Sequence, residues 1–267
     1  MNWNVVRLAA ALACAPAFTA RVAGPAAPKT APQADQWNWH GRIAAGRTLQ
    51  IRGINGRVEA EPATGNEAVV SASKRAHDHG DTDEVSIQVV QNGGDVVICA
   101  VYPGRSNRCG PDDEYHMSTH DNDVEVDFRV QVPAGVRFDG STVNGDVEAD
   151  NLGGPVRANT VNGSVRLETA AGEASGETVN GSVTATLHGQ GTAPLSFKTV
   201  NGGVTLSVPK DLNADLEAET VNGAIETDFP ITVTGRINRR HLDGRIGQGG
   251  RSLKIETVNG SIRLRSL

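Results

Sequence analysis

The tetrapeptide Thr-Val-Asn-Gly occurs six times in this chain of 267 residues, at positions 142–145, 160–163, 178–181, 199–202, 220–223 and 257–260. The starts lie 18, 18, 21, 21 and 37 residues apart. Such self-similarity marks an array in which each repeat is one structural unit and buries its apolar side against its neighbours. The longest gap contains a degenerate copy, His241-Leu242-Asp243-Gly244, which divides it into 21 and 16 residues. An early relative, Gly53-Ile54-Asn55-Gly56, stands alone before the main array.

Asn-Gly between apolar strands is also the signature of a type I′ hairpin, so an antiparallel meander competes with a stack. A hairpin, however, gives no reason for the same Thr and Val to recur, whereas stacking does, because equivalent residues then form ladders. Two residues before each Thr stand Gly140, Ala158, Gly176, Phe197, Ala218 and Ile255; four before it stand Phe138, Val156, Ala174, Leu195, Leu216 and Leu253. The positions between them are polar, as at Arg157, Lys198, Glu217 and Lys254. Beyond each Gly the column continues with Val147, Val165, Val183, Val204, Ile225 and Ile262. Period two on both sides of the motif predicts a strand before and a strand after each corner, apolar side inward.

The expected architecture is all-β, a parallel β-solenoid with rungs of 16–21 residues. Thr then faces inward, its hydroxyl satisfied by the turn backbone. Asn144, Asn162, Asn180, Asn201, Asn222 and Asn259 stack as an amide ladder at the strand spacing of about 4.8 Å. Gly supplies the positive φ expected of the turn. The second turn of each rung falls at Leu152-Gly153-Gly154, Ala171-Gly172, Pro209-Lys210 and Gly247 to Gly250, and its varying length explains the uneven spacing. Scarce aromatics, 4% of residues, suit a thin stack filled by aliphatics.

Regular repeats occupy residues 136–267. Residues 37–135 carry period-two segments such as Val85–Val89 and Val124–Val130 and are expected to form earlier, less regular β coils or a cap. Residues 21–36, rich in Pro and Ala, predict an extended linker. Residues 1–20 read as an export signal: Arg7 precedes an apolar run of 13 residues, Leu8 to Ala20, too short to span a bilayer comfortably. Ala11-Leu12-Ala13-Cys14 is similar to a lipoprotein box, so Cys14 is either lipidated or removed with the signal. Two cysteines remain, Cys99 and Cys109. In an exported protein they predict one disulfide, with two free thiols as the alternative.

The Thr-Val-Asn-Gly segments, the Val132-Pro133-Ala134-Gly135-Val136 run and the export signal together resemble the bacterial putative-adhesin family of β-strand repeat proteins, a domain of unknown function. The resemblance covers roughly residues 40 to 267. It implies a β-solenoid and an envelope or secreted location, and it supplies no catalytic residues.

The search for chemistry is consistent with a binding or structural role. Net charge is −6, and the exposed column after the inward Val or Ile reads Glu148, Arg166, Thr184, Thr205, Glu226, Gly247 and Arg263. That mixture is neither the basic stripe of a nucleic-acid binder nor a flat threonine array. Calcium β-rolls carry carboxylates in their turns, whereas these turns carry Asn, with Asp243 alone acidic. Two His/acid clusters, His77 to Glu84 and Asp112 to His116 with His120, Asp121 and Asp123, hold metal-type ligands but read as solvated loops. His116 and His120 lack the intervening Glu of a metalloprotease helix. No Gly-x-Ser-x-Gly elbow is present. No catalytic residue, metal site or cofactor is therefore assigned. The candidate ligand-binding residues are Arg236, Arg239, Arg240, His241 and Arg245, with Arg251 nearby, around the degenerate copy. Arg239 would point inward on the ladder parity, so that rung must bulge or loop out.

The function expected is a non-enzymatic structural or adhesin-like binding protein of the cell envelope or exterior. Its partner would be an envelope or extracellular macromolecule, a glycan among the options. Nucleic acid is not expected, and membrane attachment requires lipidation at Cys14. One alternative is an anionic-glycan module using the basic broken rung. Another is a β-helix polysaccharide-degrading enzyme, which needs convergent carboxylates in a cleft.

Overall fold

The computed structural model describes residues 35–78, 80–111, 116–119, 122–170 and 173–267, apart from the side chains of residues 234–237. The signal segment and Cys14 lie outside the described residues, as does the linker up to its last two positions. The N-terminal strands are β1 (Asp35–Arg42), β2 (Thr48–Arg52), β3 (Val58–Pro62), β4 (Glu67–Arg75), β5 (Ser86–Asn92), β6 (Asp95–Val101) and β7 (Glu125–Val132). The central strands are β8 (Arg137–Ser141), β9 (Val147–Leu152), β10 (Val156–Asn159), β11 (Val165–Thr169), β12 (Ala174–Asn180), β13 (Val183–Leu187), β14 (Leu195–Asn201) and β15 (Val204–Val208). The C-terminal strands are β16 (Ala214–Asn222), β17 (Ile225–Thr227), β18 (Ile231–Asn238), β19 (His241–Ile246), β20 (Arg251–Asn259) and β21 (Ile262–Ser266).

Strands before and after each Asn-Gly corner fall in different sheets, so the corner is not a hairpin. The entry sheet runs β18-β19-β16-β20-β14-β12-β10-β8-β2-β6-β5, and the exit sheet β1-β4-β7-β3-β9-β11-β13-β15-β21-β17. Eight rungs stack among the described residues, in the order β6/β7, β2/β3, β8/β9, β10/β11, β12/β13, β14/β15, β20/β21 and β16/β17. Every neighbouring pair along this stack is parallel in both sheets.

The apolar columns pair residue for residue. Phe138, Val156, Ala174, Leu195, Leu253 and Leu216 follow one another across the entry sheet. Val147, Val165, Val183, Val204, Ile262 and Ile225 do so across the exit sheet. All but Ile225 are buried. Small and large residues alternate where space requires it: a Cβ on Gly176 would lie 3.1 Å from both Val165 and Val183 side chains.

At the corners Thr, Asn and Gly each have their own bond. Each Thr hydroxyl is buried and donates to the carbonyl of the preceding rung's glycine, as from Thr160 to Gly145, Thr178 to Gly163 and Thr199 to Gly181, all at 2.8 Å. Each Asn Nδ2 donates 2.8 Å to the Oδ1 of the preceding Asn, from Asn144 to Asn55 through Asn162, Asn180, Asn201 and Asn259 to Asn222. Backbone bonds run both ways: the amides of Gly145, Gly163 and Gly181 donate 2.9–3.0 Å to the carbonyls of Asn162, Asn180 and Asn201 in the following rung, while the amides of Asn162 and Asn180 donate 2.7 Å back to the carbonyls of Val143 and Val161. Side-chain and main-chain bonds together tie these interior rungs to both neighbours.

Four expectations need correction. The first concerns the glycine: positive φ is found at Gly56 (117°), Gly145 (152°) and Gly181 (159°), but not at Gly163, Gly202, Gly223 or Gly260. Close approach is what excludes a side chain, because a Cβ on Gly163, Gly181, Gly202, Gly223 or Gly260 would sit 1.9–2.0 Å from the preceding glycine's carbonyl oxygen. Second, Gly53-Ile54-Asn55-Gly56 does not stand alone: Asn55 bridges Asn144 directly, and β2/β3 is a full rung. Third, stacking order departs from chain order, because the last motif copy lies between the copies at 199–202 and 220–223. Fourth, His241-Leu242-Asp243-Gly244 is not a rung. It lies in β19, antiparallel to both β16 and β18, so Arg239 sits in a hairpin turn and no inward Arg has to be accommodated there.

The bonds order three substitutions in one rung. Asn180→Ala should cost about 1–2 kcal/mol, since two exposed amide bonds are lost. Thr178→Val, which leaves the Gly163 carbonyl without its hydroxyl donor, should cost about the same. Gly181→Ala should cost about 3 kcal/mol or more, because overlap with backbone has no rotamer that relieves it. Urea unfolding midpoints check the order; a Gly181→Ala protein as stable as Asn180→Ala would refute the close-packed corner.

Candidate functional site

With Thr inward and Asn stacked, the motif Val has only one direction left. Val143, Val161, Val179, Val200, Val258 and Val221 form a column on the outer face, each 36–49% exposed. It lies in register beside the exposed asparagine ladder. Sequence reading concentrated on the inward columns and gave Val no surface role, although parity alone places the neighbour of an inward Thr outside. The next row of the entry sheet is charged: Glu177, Lys198, Glu256 and Glu219 in stacking order. Glu256 accepts from Lys198 at 3.0 Å and from Lys254 at 2.9 Å. Burial pushes its carboxyl up, but the two lysines pull harder and hold it below the ordinary glutamate value.

The basic residues singled out by sequence cluster only in part. Arg239 and Arg240 form the two-residue tip of the β18–β19 hairpin and are exposed. Asn238 Oδ1 fixes the tip by accepting from the amides of Arg240 (2.7 Å) and His241 (2.9 Å). The Arg240 carbonyl accepts from the Thr220 amide at 2.8 Å, which seats the tip at the C-terminal end of the Val column. His241 pairs with Glu219 across the strands, and Arg245, four residues on, is 3.4 Å from Asp215. The Arg236 side chain lies outside the description. Arg251 belongs elsewhere: it is buried on β20, donates 2.9 Å to the Ala193 carbonyl, and burial lowers its pKa.

At the opposite end of the column the His77 cluster meets β7. His77 is 3.0 Å from Glu125, and Arg75 is 3.1 Å from Glu125 and 2.6 Å from Asp127. The Asp123 carboxylate accepts from the His77 and Asp78 amides. Burial raises the Glu125 carboxyl, while the bond from His77 and the charge of Arg75 lower it below its ordinary value overall. Among the described residues no three His, Cys, Asp or Glu groups are placed to hold a metal ion. His79, Asp112 to Glu114, His120 and Asp121 lie outside the described residues.

Cys99 and Cys109 form a disulfide with Cα atoms 5.7 Å apart. It anchors the connection from β6 to β7 over the outer face of the entry sheet. There Val97, Cys99 and Val101 form a second small core with Val90, Cys109 and Met117. Sequence reading missed this cover. Its signal is the unbroken apolar run Val96 to Val101, which fits a strand buried on both faces better than a half-exposed one.

Glu125 and Glu256 titrate below their unfolded value, so their contribution is complete above the unfolded glutamate pKa and disappears as pH falls through the folded values. Acid should therefore destabilise the protein through these groups, and Glu256→Gln should flatten part of that acid limb. The difference should stay below about 1 kcal/mol, because Glu256 is partly exposed. Urea titrations at neutral and acid pH test this, and an acid limb unchanged in the variant contradicts it.

The family model described as Toastrack DUF4097 matches residues 86–265. A comparison with the curated proteins finds no match. Among solved structures, the putative cell adhesion protein of Clostridium sporogenes ATCC 15579 superposes with a TM-score of 0.49 at 12% identity, over 87% of this chain and 100% of that one. A putative adhesin of Bacteroides fragilis NCTC 9343 gives a TM-score of 0.26 at 10% identity, over 87% of this chain and 97% of that one. The family match spans about two thirds of the sequence and takes in all six Thr-Val-Asn-Gly corners, so the chain belongs to the Toastrack DUF4097 family.

Proposed function

We propose that this protein is a non-enzymatic, adhesin-like binding module, exported to the cell envelope or exterior, that holds an extended macromolecule along its corner. The observation that carries this reading is the exposed Val column, in register with the asparagine ladder over six rungs. A rigid row with one apolar and one amide group per rung suits a chain-like partner with apolar and hydrogen-bonding faces, such as a glycan strand. The disulfide and the export signal read in the sequence support the location. A second reading rests on the exposed Arg239-Arg240 tip at the end of the column. There guanidinium groups would receive phosphate or carboxylate of an anionic glycan, with His241 adjoining.

Retention of the mature protein on its own envelope fractions separates these readings. Replacing Val179, Val200 and Val258 by Lys should weaken retention about tenfold or more, equivalent to about 1.4 kcal/mol. Lys at Thr184 and Thr205, on the exit sheet, should leave it unchanged. Equal loss in both variants would remove the corner from consideration. Replacing Arg236, Arg239, Arg240 and Arg245 by Ser should abolish retention on anionic glycan alone if the tip is the ligand site. Turnover of a polysaccharide, abolished by one carboxylate substitution, would overturn the non-enzymatic reading.

A further inference from the structure

The seventh rung of the stack, β20/β21, is inserted out of chain order. After β15 the backbone passes one rung height, builds β16/β17, turns through the β18–β19 hairpin, and only then returns as β20/β21 between β14/β15 and β16/β17. The returning segment is paired in parallel on both sides in both sheets. It carries Leu253, Ile255, Ile262 and Leu264, all buried, and the Asn259 amide that links Asn201 to Asn222. Its absence would leave four strand edges without partners and a gap in the ladder, the condition under which edges recruit another strand.

The segment is tied to the rest of the fold by one short hop. Residues 247–250 cross the start of β16, with positive φ at Gly247 (58°), Gly249 (75°) and Gly250 (112°). Their backbone is held by few bonds: Gln248 N to Asn213 Oδ1, Gly249 N to the Ile246 carbonyl, and Gly250 N to Asp215 Oδ2.

We propose that β20–β21 exchanges between copies of this chain, so that residues Arg251–Ser266 of a second copy fill the slot between β14/β15 and β16/β17. The incoming segment is identical to the one it replaces and recovers every ladder bond, so exchanged and closed forms differ only at the hinge and in the entropy of association. Copies crowded together while their slots stand open are the ones that exchange.

Two double-cysteine variants of the full chain test this, each joining outward residues that are register partners: Ser196→Cys with Lys254→Cys across β14 and β20, and Glu217→Cys with Lys254→Cys across β16 and β20. The protein is unfolded and refolded at low and high concentration with the native disulfide intact, and the introduced thiols are coupled afterwards. The expected result is coupling within one chain at low concentration. At high concentration, both pairs should couple between chains in material that elutes as a dimer or larger. Coupling between chains for the first pair but within a chain for the second would mean that β16–β21 moves as one unit, and would overturn the assignment. Coupling within one chain at every concentration would overturn it too.

Discussion

Close contact between glycines at the corner is the constraint from which the rest of the stack follows. Each glycine of the six Thr-Val-Asn-Gly corners lies so near the preceding glycine's carbonyl that no Cβ fits, and this contact sets the offset of one rung on the next. At that offset the Thr hydroxyl reaches the same carbonyl and the Asn amide reaches its equivalent above. The inner columns then fall into register without further instruction, which is how a core with few aromatics is closed by Val, Leu, Ile and Ala. Val is the one motif residue that the lock does not use. Its recurrence has a modest structural cause, since stacked β-branched neighbours contribute a few tenths of a kcal/mol per pair, but burial is not that cause.

A parallel stack also has two ends, each with unpaired edges. At the first end β4 and β1 cover β7 antiparallel, and β5 covers β6. At the second end β19 and β18 cover β16. The exit sheet finishes on β17, only three residues long, whose Glu226 and the following Asp228 pair with Arg263 and Arg265. Short, charged edges discourage further pairing. The rungs β2/β3 and β20/β21 are both interior, so displacing either must break ladders on two sides.

Much of this is legible in the sequence. Parity around Thr identified both inward columns, and the pairs Phe138–Val156 and Val165–Val183 occur as read. Parallel and antiparallel strands share period two, however, so alternation in Ile231 to Ile246 could not reveal a hairpin cap. The sign was the loss of Thr, Val and Asn in His241-Leu242-Asp243-Gly244. Stacking order was hidden for a related reason: corners that are nearly identical carry no label for which neighbour they take. The gap of 37 residues marked the place without giving the topology. Glycine misled because positive φ is its commoner role in turns, whereas contact with the next rung becomes visible only once rungs are stacked.

The distribution of charge narrows where a partner can engage. On both outer faces, opposite charges on neighbouring rungs meet one another: Lys198 with Glu256, Lys254 with Glu217, Arg263 with Glu226 and Arg265 with Asp228. A ligand that recruited any of these groups would have to displace an existing partner, which reduces the net gain from each contact. The corner differs. Its asparagines bond along the axis and keep a second amide hydrogen and a second lone pair available, while Val has no bond to give up. The Val column, which makes no polar bond of its own, thus repeats along the stack beside amides that keep hydrogen-bonding capacity to spare. A partner that matched this row would meet the same pair of side chains at each rung, so its affinity would grow with the number of rungs it spans.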